Sequence, residues 1–131
     1  MRFVAMFAFV VVAGICSASE FDDRLASATS YLASPQAAVY VKWLDANLGP
    51  RITPVLRKCF DSVDEASKTG FVFVADIDSR GKLINAATSP STNIGQCVVQ
   101  RFEAESFEIP PPLEGSRILF PVVIDMGAHI P

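Results

Sequence analysis

The chain of 131 residues contains one histidine, one tryptophan, three cysteines and only 19% charged residues. Each scarcity excludes something. With 11 Lys and Arg against 14 Asp and Glu, the net charge is -3. No excess of cations is available to neutralise nucleic-acid phosphates, so DNA and RNA binding are not expected. His129 is the single histidine and lies near the C-terminus. As a general base it would need an ordered pocket and an orienting acid. No nucleophile-elbow motif accompanies it, so Ser-His-Asp catalysis has no support. Gly70, Gly81, Gly95 and Gly115 are scattered and form no phosphate-cradling loop, so no cofactor is expected. Internal repeats and low-complexity linkers are also absent.

Apolar residues are abundant instead, at 50% of the chain, with a mean hydropathy of +0.35. They are concentrated at the start. Met1-Arg2 is followed by the uncharged run FVAMFAFVVVAGI from Phe3 to Ile15. This run matches a secretory h-region and is shorter than the roughly 20 residues of a membrane-spanning helix. Cys16-Ser17-Ala18 supplies small residues for signal-peptidase cleavage after Ala18 or Ser19. The expectation is a signal peptide over 1–18, a periplasmic or secreted product and no membrane span after cleavage. A lipidated Cys16 and a retained N-terminal anchor are the lesser alternatives.

Cleavage removes Cys16 and leaves Cys59 and Cys97. An even pair in a small exported domain reads as one disulfide. A metal site would need more ligands than one histidine adds, and a redox pair would normally be spaced C-x-x-C.

The remaining chain reads as alternating signals of two periods. Phe21, Leu25, Ala28 and Leu32 predict a helix over 20–33, with Asp22, Asp23 and Arg24 off its apolar face. Ser34-Pro35 predicts the start of a second helix to Leu48, with Val39, Tyr40, Trp43, Leu44 and Leu48 as its apolar face and Gly49-Pro50 as its stop. Tyr40 and Trp43 suit either core packing or a docking patch. Thr53-Pro54 predicts a third helix to Val63 that buries Val55, Leu56, Cys59, Phe60 and Val63. The period then changes. Residues 71–77 alternate as a strand, Asp78-Ser79-Arg80-Gly81 is a turn, and Lys82 to Thr88 returns as a second strand. Ser89 to Asn93 is a capping loop before a helix over 94–105 that buries Ile94, Cys97, Val98 and Phe102. Both cysteines therefore lie on apolar faces of different helices. Pro110-Pro111-Pro112 and Gly115 form a break. Arg117 to Ile124 is the last strand, placed at a sheet edge because Pro121 lacks a donor. Residues 125–131 read as a frayed tail.

Paired acids at Asp22-Asp23 and Asp64-Glu65 read as solvated helix faces, as does Arg57-Lys58. Asp76 and Asp78 lack the further oxygen ligands that calcium requires. No metal site or enzymatic activity is expected.

The hairpin Gly70-Phe-Val-Phe-Val-Ala-Asp-Ile-Asp78-Ser-Arg-Gly81-Lys-Leu-Ile84 resembles the G-x-V-x-V-x-x-x-[VI]-D-x-x-G-x-[VI] hairpin of TonB C-terminal-like domains. Phe107 with the proline run resembles that family's F-x-P turn, and Ile118-Leu119-Phe120-Pro121-Val122 its closing strand. Cys59 and Cys97 resemble a cysteine-bearing branch. The chain is expected to depart from a full energy transducer: its hydrophobic start reads as cleavable rather than as an anchor, and two short helices stand where the long Pro-rich spacer would be. The resemblance covers residues 53–125 and implies an α+β fold. Its three-stranded antiparallel sheet would carry helices on one face and be preceded by two short helices. The expected division is a signal peptide over 1–18, a helical extension over 19–50 and the α+β domain over 51–131.

The family binds partner peptides by strand addition. The resemblance therefore implies a partner-binding edge at Arg117, Ile118, Leu119, Phe120, Val122, Val123 and Ile124, and an envelope protein or peptide as partner. The alternative is an inhibitor or immunity-type protein acting through the loop Ser89 to Asn93.

Overall fold

The computed structural model describes residues 18–62, 70–111 and 119–127. Expectations for 1–17, Val63, Asp64-Glu65, Pro112, Gly115, Arg117, Ile118 and His129 lie outside the described residues. The elements are α1 (Ala18–Leu32), a 3-10 turn (Pro35–Ala37), α2 (Ala38–Asn47), α3 (Gly49–Asp61), β1 (Phe71–Asp78), β2 (Leu83–Ser89), α4 (Asn93–Glu103) and β3 (Leu119–Met126). The strands form one antiparallel sheet in the order β2-β1-β3. The fold is α+β, as expected.

β1 is central and its two faces differ. Phe71, Phe73, Ala75 and Ile77 are buried on one face, where Phe73 meets Phe102 of α4 at 5.6 Å between ring centroids. Val55 and Cys59 of α3, with Ile94 and Val98 of α4, complete this core. Cys59 and Cys97 form a disulfide with Cα atoms 5.7 Å apart, joining α3 to α4. Helix packing on one face therefore describes α3 and α4. α1 adds a layer on the opposite face. There its Ala28 and Arg24 adjoin Val74 and Asp76 of β1 and Pro121 of β3. Arg24 Nη2 lies 3.2 Å from Asp76 Oδ2. The acid that suggested a wetter sheet face is thus paired with α1.

Two boundaries and one helix face differ from the sequence reading for physical reasons. α3 begins at Gly49 rather than Thr53. Pro50 lies in its first turn, where a missing N–H breaks no helical bond, so Gly49-Pro50 ends α2 and opens α3 together. Pro54 is accommodated inside the helix. The apolar face of the second helix is Ala37, Tyr40, Leu44 and Leu48, while Val39, about 100° away around the axis, is 67% exposed. Finally, Asp125 and Met126 are strand, not tail. Val72 and Phe71 stand opposite them in register.

The hairpin turn is built by Asp78. Its Oδ1 accepts the backbone N–H groups of Arg80 and Lys82, each at 2.9 Å. The Lys82 bond above all, then the Arg80 N–H and guanidinium, holds the Asp78 carboxyl below its ordinary pKa of 3.8. A carboxyl whose pKa is lower folded than unfolded stabilises the fold above the unfolded value. That stabilisation is lost as pH falls through the folded value. Urea titrations should therefore show wild type losing stability below about pH 4 more steeply than Asp78→Asn, which keeps an acceptor but does not titrate. Parallel pH profiles would refute the role of this carboxylate.

Candidate functional site

β3 lies at a sheet edge, as Pro121 suggested. In an antiparallel ladder, alternate residues turn both backbone polar groups toward the neighbouring strand or both away from it. The Pro121 carbonyl accepts the Tyr40 hydroxyl at 2.9 Å, so it points off the sheet. By alternation Leu119, Val123 and Asp125 also point their backbone groups outward.

The chain crosses from the α1 face to the α3 face around this edge. Tyr40 closes part of it, with a fully buried ring 5.4 Å from Phe120 and 5.9 Å from Trp43. Phe120 and Val122, named from sequence as edge residues, are interior packing groups. Leu119 is half-buried. Beyond Tyr40 the strand opens. Val123, Ile124 and Met126 are half-buried and Asp125 is exposed. Among the described residues, the part of the candidate edge left accessible is thus Val123–Met126.

The other edge is guarded differently. β2 carries a bulge opposite Val74–Asp76, where Asn85 adopts φ +54°, a conformation that asparagine tolerates better than most residues. Lys82 bridges Ser106, and the Gly81 carbonyl accepts the Phe107 N–H at 2.9 Å. Arg51 fastens that segment. It donates to the Ser106 carbonyl at 2.7 Å, lies 3.6 Å from Glu105 and stacks 4.9 Å above the Phe107 ring. Bulges and covering segments of this kind prevent edge-to-edge association. Neither the roles of Arg51 and Tyr40 nor the Arg24–Asp76 pair was visible in the sequence. Each joins segments distant along the chain, with no local pattern to mark it.

The alternative loop is occupied by capping. Thr92 Oγ1 accepts the Gly95 N–H at 3.1 Å, and Gln96 Nε2 reaches Ser91 Oγ at 3.5 Å. Among the described residues no cluster of His, Cys, Asp and Glu could hold a metal ion, and no helix is long and apolar enough to cross a membrane. Two clefts remain. One, of about 230 Å³, lies between α3 and α4 and is lined by Pro54, Val55, Lys58, Arg101, Ala104 and Glu105. Lys58 and Arg101 occupy the last turns of their helices, where cations complement the helix dipole. The second, of about 160 Å³, lies between α1 and the sheet.

No protein-family model matches the chain, no curated protein matches it, and no solved structure matches it.

Proposed function

We propose that this chain is an exported, non-catalytic binding domain of the cell envelope that captures an extended peptide by strand addition at Val123–Met126. The observation that carries the reading is the outward-facing backbone of Val123 and Asp125 beyond the point where Tyr40 closes the edge. The apolar run at Phe3–Ile15 and the Cys59–Cys97 disulfide support an exported site of action. The hairpin and closing-strand resemblance to TonB C-terminal-like domains supports the binding mode. Backbone hydrogen bonds to the edge would supply affinity, and the half-buried side chains specificity.

Val123→Pro tests this directly. It removes one outward N–H and leaves the ladder to β1 intact, and proline is tolerated at sheet edges. A photo-crosslinker at Asp125 should give a defined adduct in envelope extracts. That adduct should be lost in Val123→Pro and retained in Ser91→Asp. Retention in Val123→Pro, or loss in Ser91→Asp alone, would reject strand addition in favour of the loop.

A further inference from the structure

The cleft between α1 and the sheet lies apart from the β3 edge proposed above. Arg24, Ser27 and Ala28 line it from α1, Val74 and Asp76 from β1, and Pro121 from β3. Its volume of about 160 Å³ is close to that of a cavity able to take up a benzene-sized guest. Val74 and Ala28 are buried and with Pro121 give it an apolar floor. The side chains of Arg24 and Asp76 stand at its rim, only 29% and 22% exposed.

The geometry of this pair is incomplete. A guanidinium has five N–H donors and a carboxylate two acceptor oxygens, and a full Arg–carboxylate fork uses two parallel bonds. Here a single contact of 3.2 Å joins Nη2 to Oδ2. Each group keeps hydrogen-bonding capacity, and the two unlike charges stand side by side above an apolar floor.

We propose that this cleft binds a small α-amino acid as its zwitterion. The ligand carboxylate would take donors from Arg24, the ammonium would donate to Asp76, and a small side chain would rest on Ala28, Val74 and Pro121. The cleft's size restricts that side chain to a few atoms. A ligand with one charge would satisfy one partner only. A simple strut between α1 and β1 would also form the Arg24–Asp76 contact, but would show no preference for a zwitterion.

The test is an NMR titration of the folded chain, following the amides of Ala28, Val74 and Asp76. Glycine and L-alanine are the probes; acetate, methylammonium and L-tryptophan are the comparisons. L-Alanine should give saturable shifts with Kd of about 1 mM, within reach of a ligand this small. Acetate, methylammonium and tryptophan should be weaker by about tenfold or more. Arg24→Gln and Asp76→Asn should each abolish saturation. Because either substitution could loosen α1, Ser27→Phe provides a second variant. It fills the cleft from an exposed helix position, leaves the ion pair in place and should also abolish saturation. Unsaturable shifts with alanine, equal response to acetate, or binding that survives Ser27→Phe would each overturn the proposal. None of these outcomes depends on whether β3 captures a peptide.

Discussion

Removing the Cys59–Cys97 disulfide is expected to lower the stability of the fold by about 4 kcal/mol, the chain-entropy value for a bridge of this span. The two cysteines are 38 residues apart, and the loop they close contains both strands of the hairpin. In the unfolded chain that loop would otherwise be unconstrained. In the folded chain the bridge joins α3 to α4 beside the core, with Cys59 fully buried. Domains of this size are typically stable by 5–15 kcal/mol, so the bridge accounts for a large share. The clean comparison is Cys59→Ala with Cys97→Ala, which avoids burying a hydroxyl at position 59. Each single substitution already breaks the bond, so the double substitution should lose little more than either alone. Urea midpoints should fall by roughly 1.3–4 M for an m-value of about 1–3 kcal/mol/M. Wild type in strong reductant should approach the double variant. A shift below about 1 kcal/mol in the single variants, the double variant and reduced wild type alike would mean that helix packing alone fixes α3 against α4 and that the loop-closure account is wrong.

The bridge also shows what local pattern can reveal. An even pair of cysteines in a small exported domain reads as one disulfide, and 3.6-residue periodicity puts Cys59 and Cys97 on apolar helix faces where a bridge is geometrically sensible; the bond is present. The hairpin was equally legible, because Phe71, Phe73, Ala75 and Ile77 alternate and Asp78 and Gly81 mark the turn. Pro121 placed β3 at an edge. Two kinds of information were not available. The first is how helices distribute over a sheet. Arg24 is one charge on the polar side of α1 until Asp76 is brought within 3.2 Å. The second is what covers an edge. Tyr40 reads as one aromatic residue in a helical stripe, yet its hydroxyl meets a carbonyl 81 positions away. The candidate site therefore moves from the strand read at Arg117–Ile124 to Val123–Met126, whose last two residues read as tail in the sequence. The interior roles of Phe120 and Val122 depend on partners that strand periodicity does not name.

Gly81→Ala is expected to destabilise the fold by about 3 kcal/mol, from two effects that add. Gly81 has φ +80°, and any side chain there costs about 1 kcal/mol relative to glycine. Sequence alone supports that much, because the position ends a β-turn. The larger effect comes from Phe107. A Cβ on Gly81 would fall inside contact distance of the Phe107 carbonyl oxygen and 2.9 Å from that of Glu108. Both are backbone atoms that cannot rotate away. The 106–108 segment would have to retreat, at a strain of about 1–3 kcal/mol. It would loosen the bond from Phe107 N–H to the Gly81 carbonyl and the Lys82–Ser106 bridge. Phe107, 6% exposed, would shift from its place beside Phe102, 6.4 Å away between centroids. Gly81→Asn separates the two effects, since asparagine tolerates positive φ but still carries the Cβ. It should recover only the conformational part. Gly49→Ala is the matched control, because nothing lies within 4 Å of a Cβ there, and its stability should change by no more than about 0.5 kcal/mol. If Gly81→Ala behaved like Gly49→Ala, the close approach of Phe107 to the turn could not be what fixes this glycine.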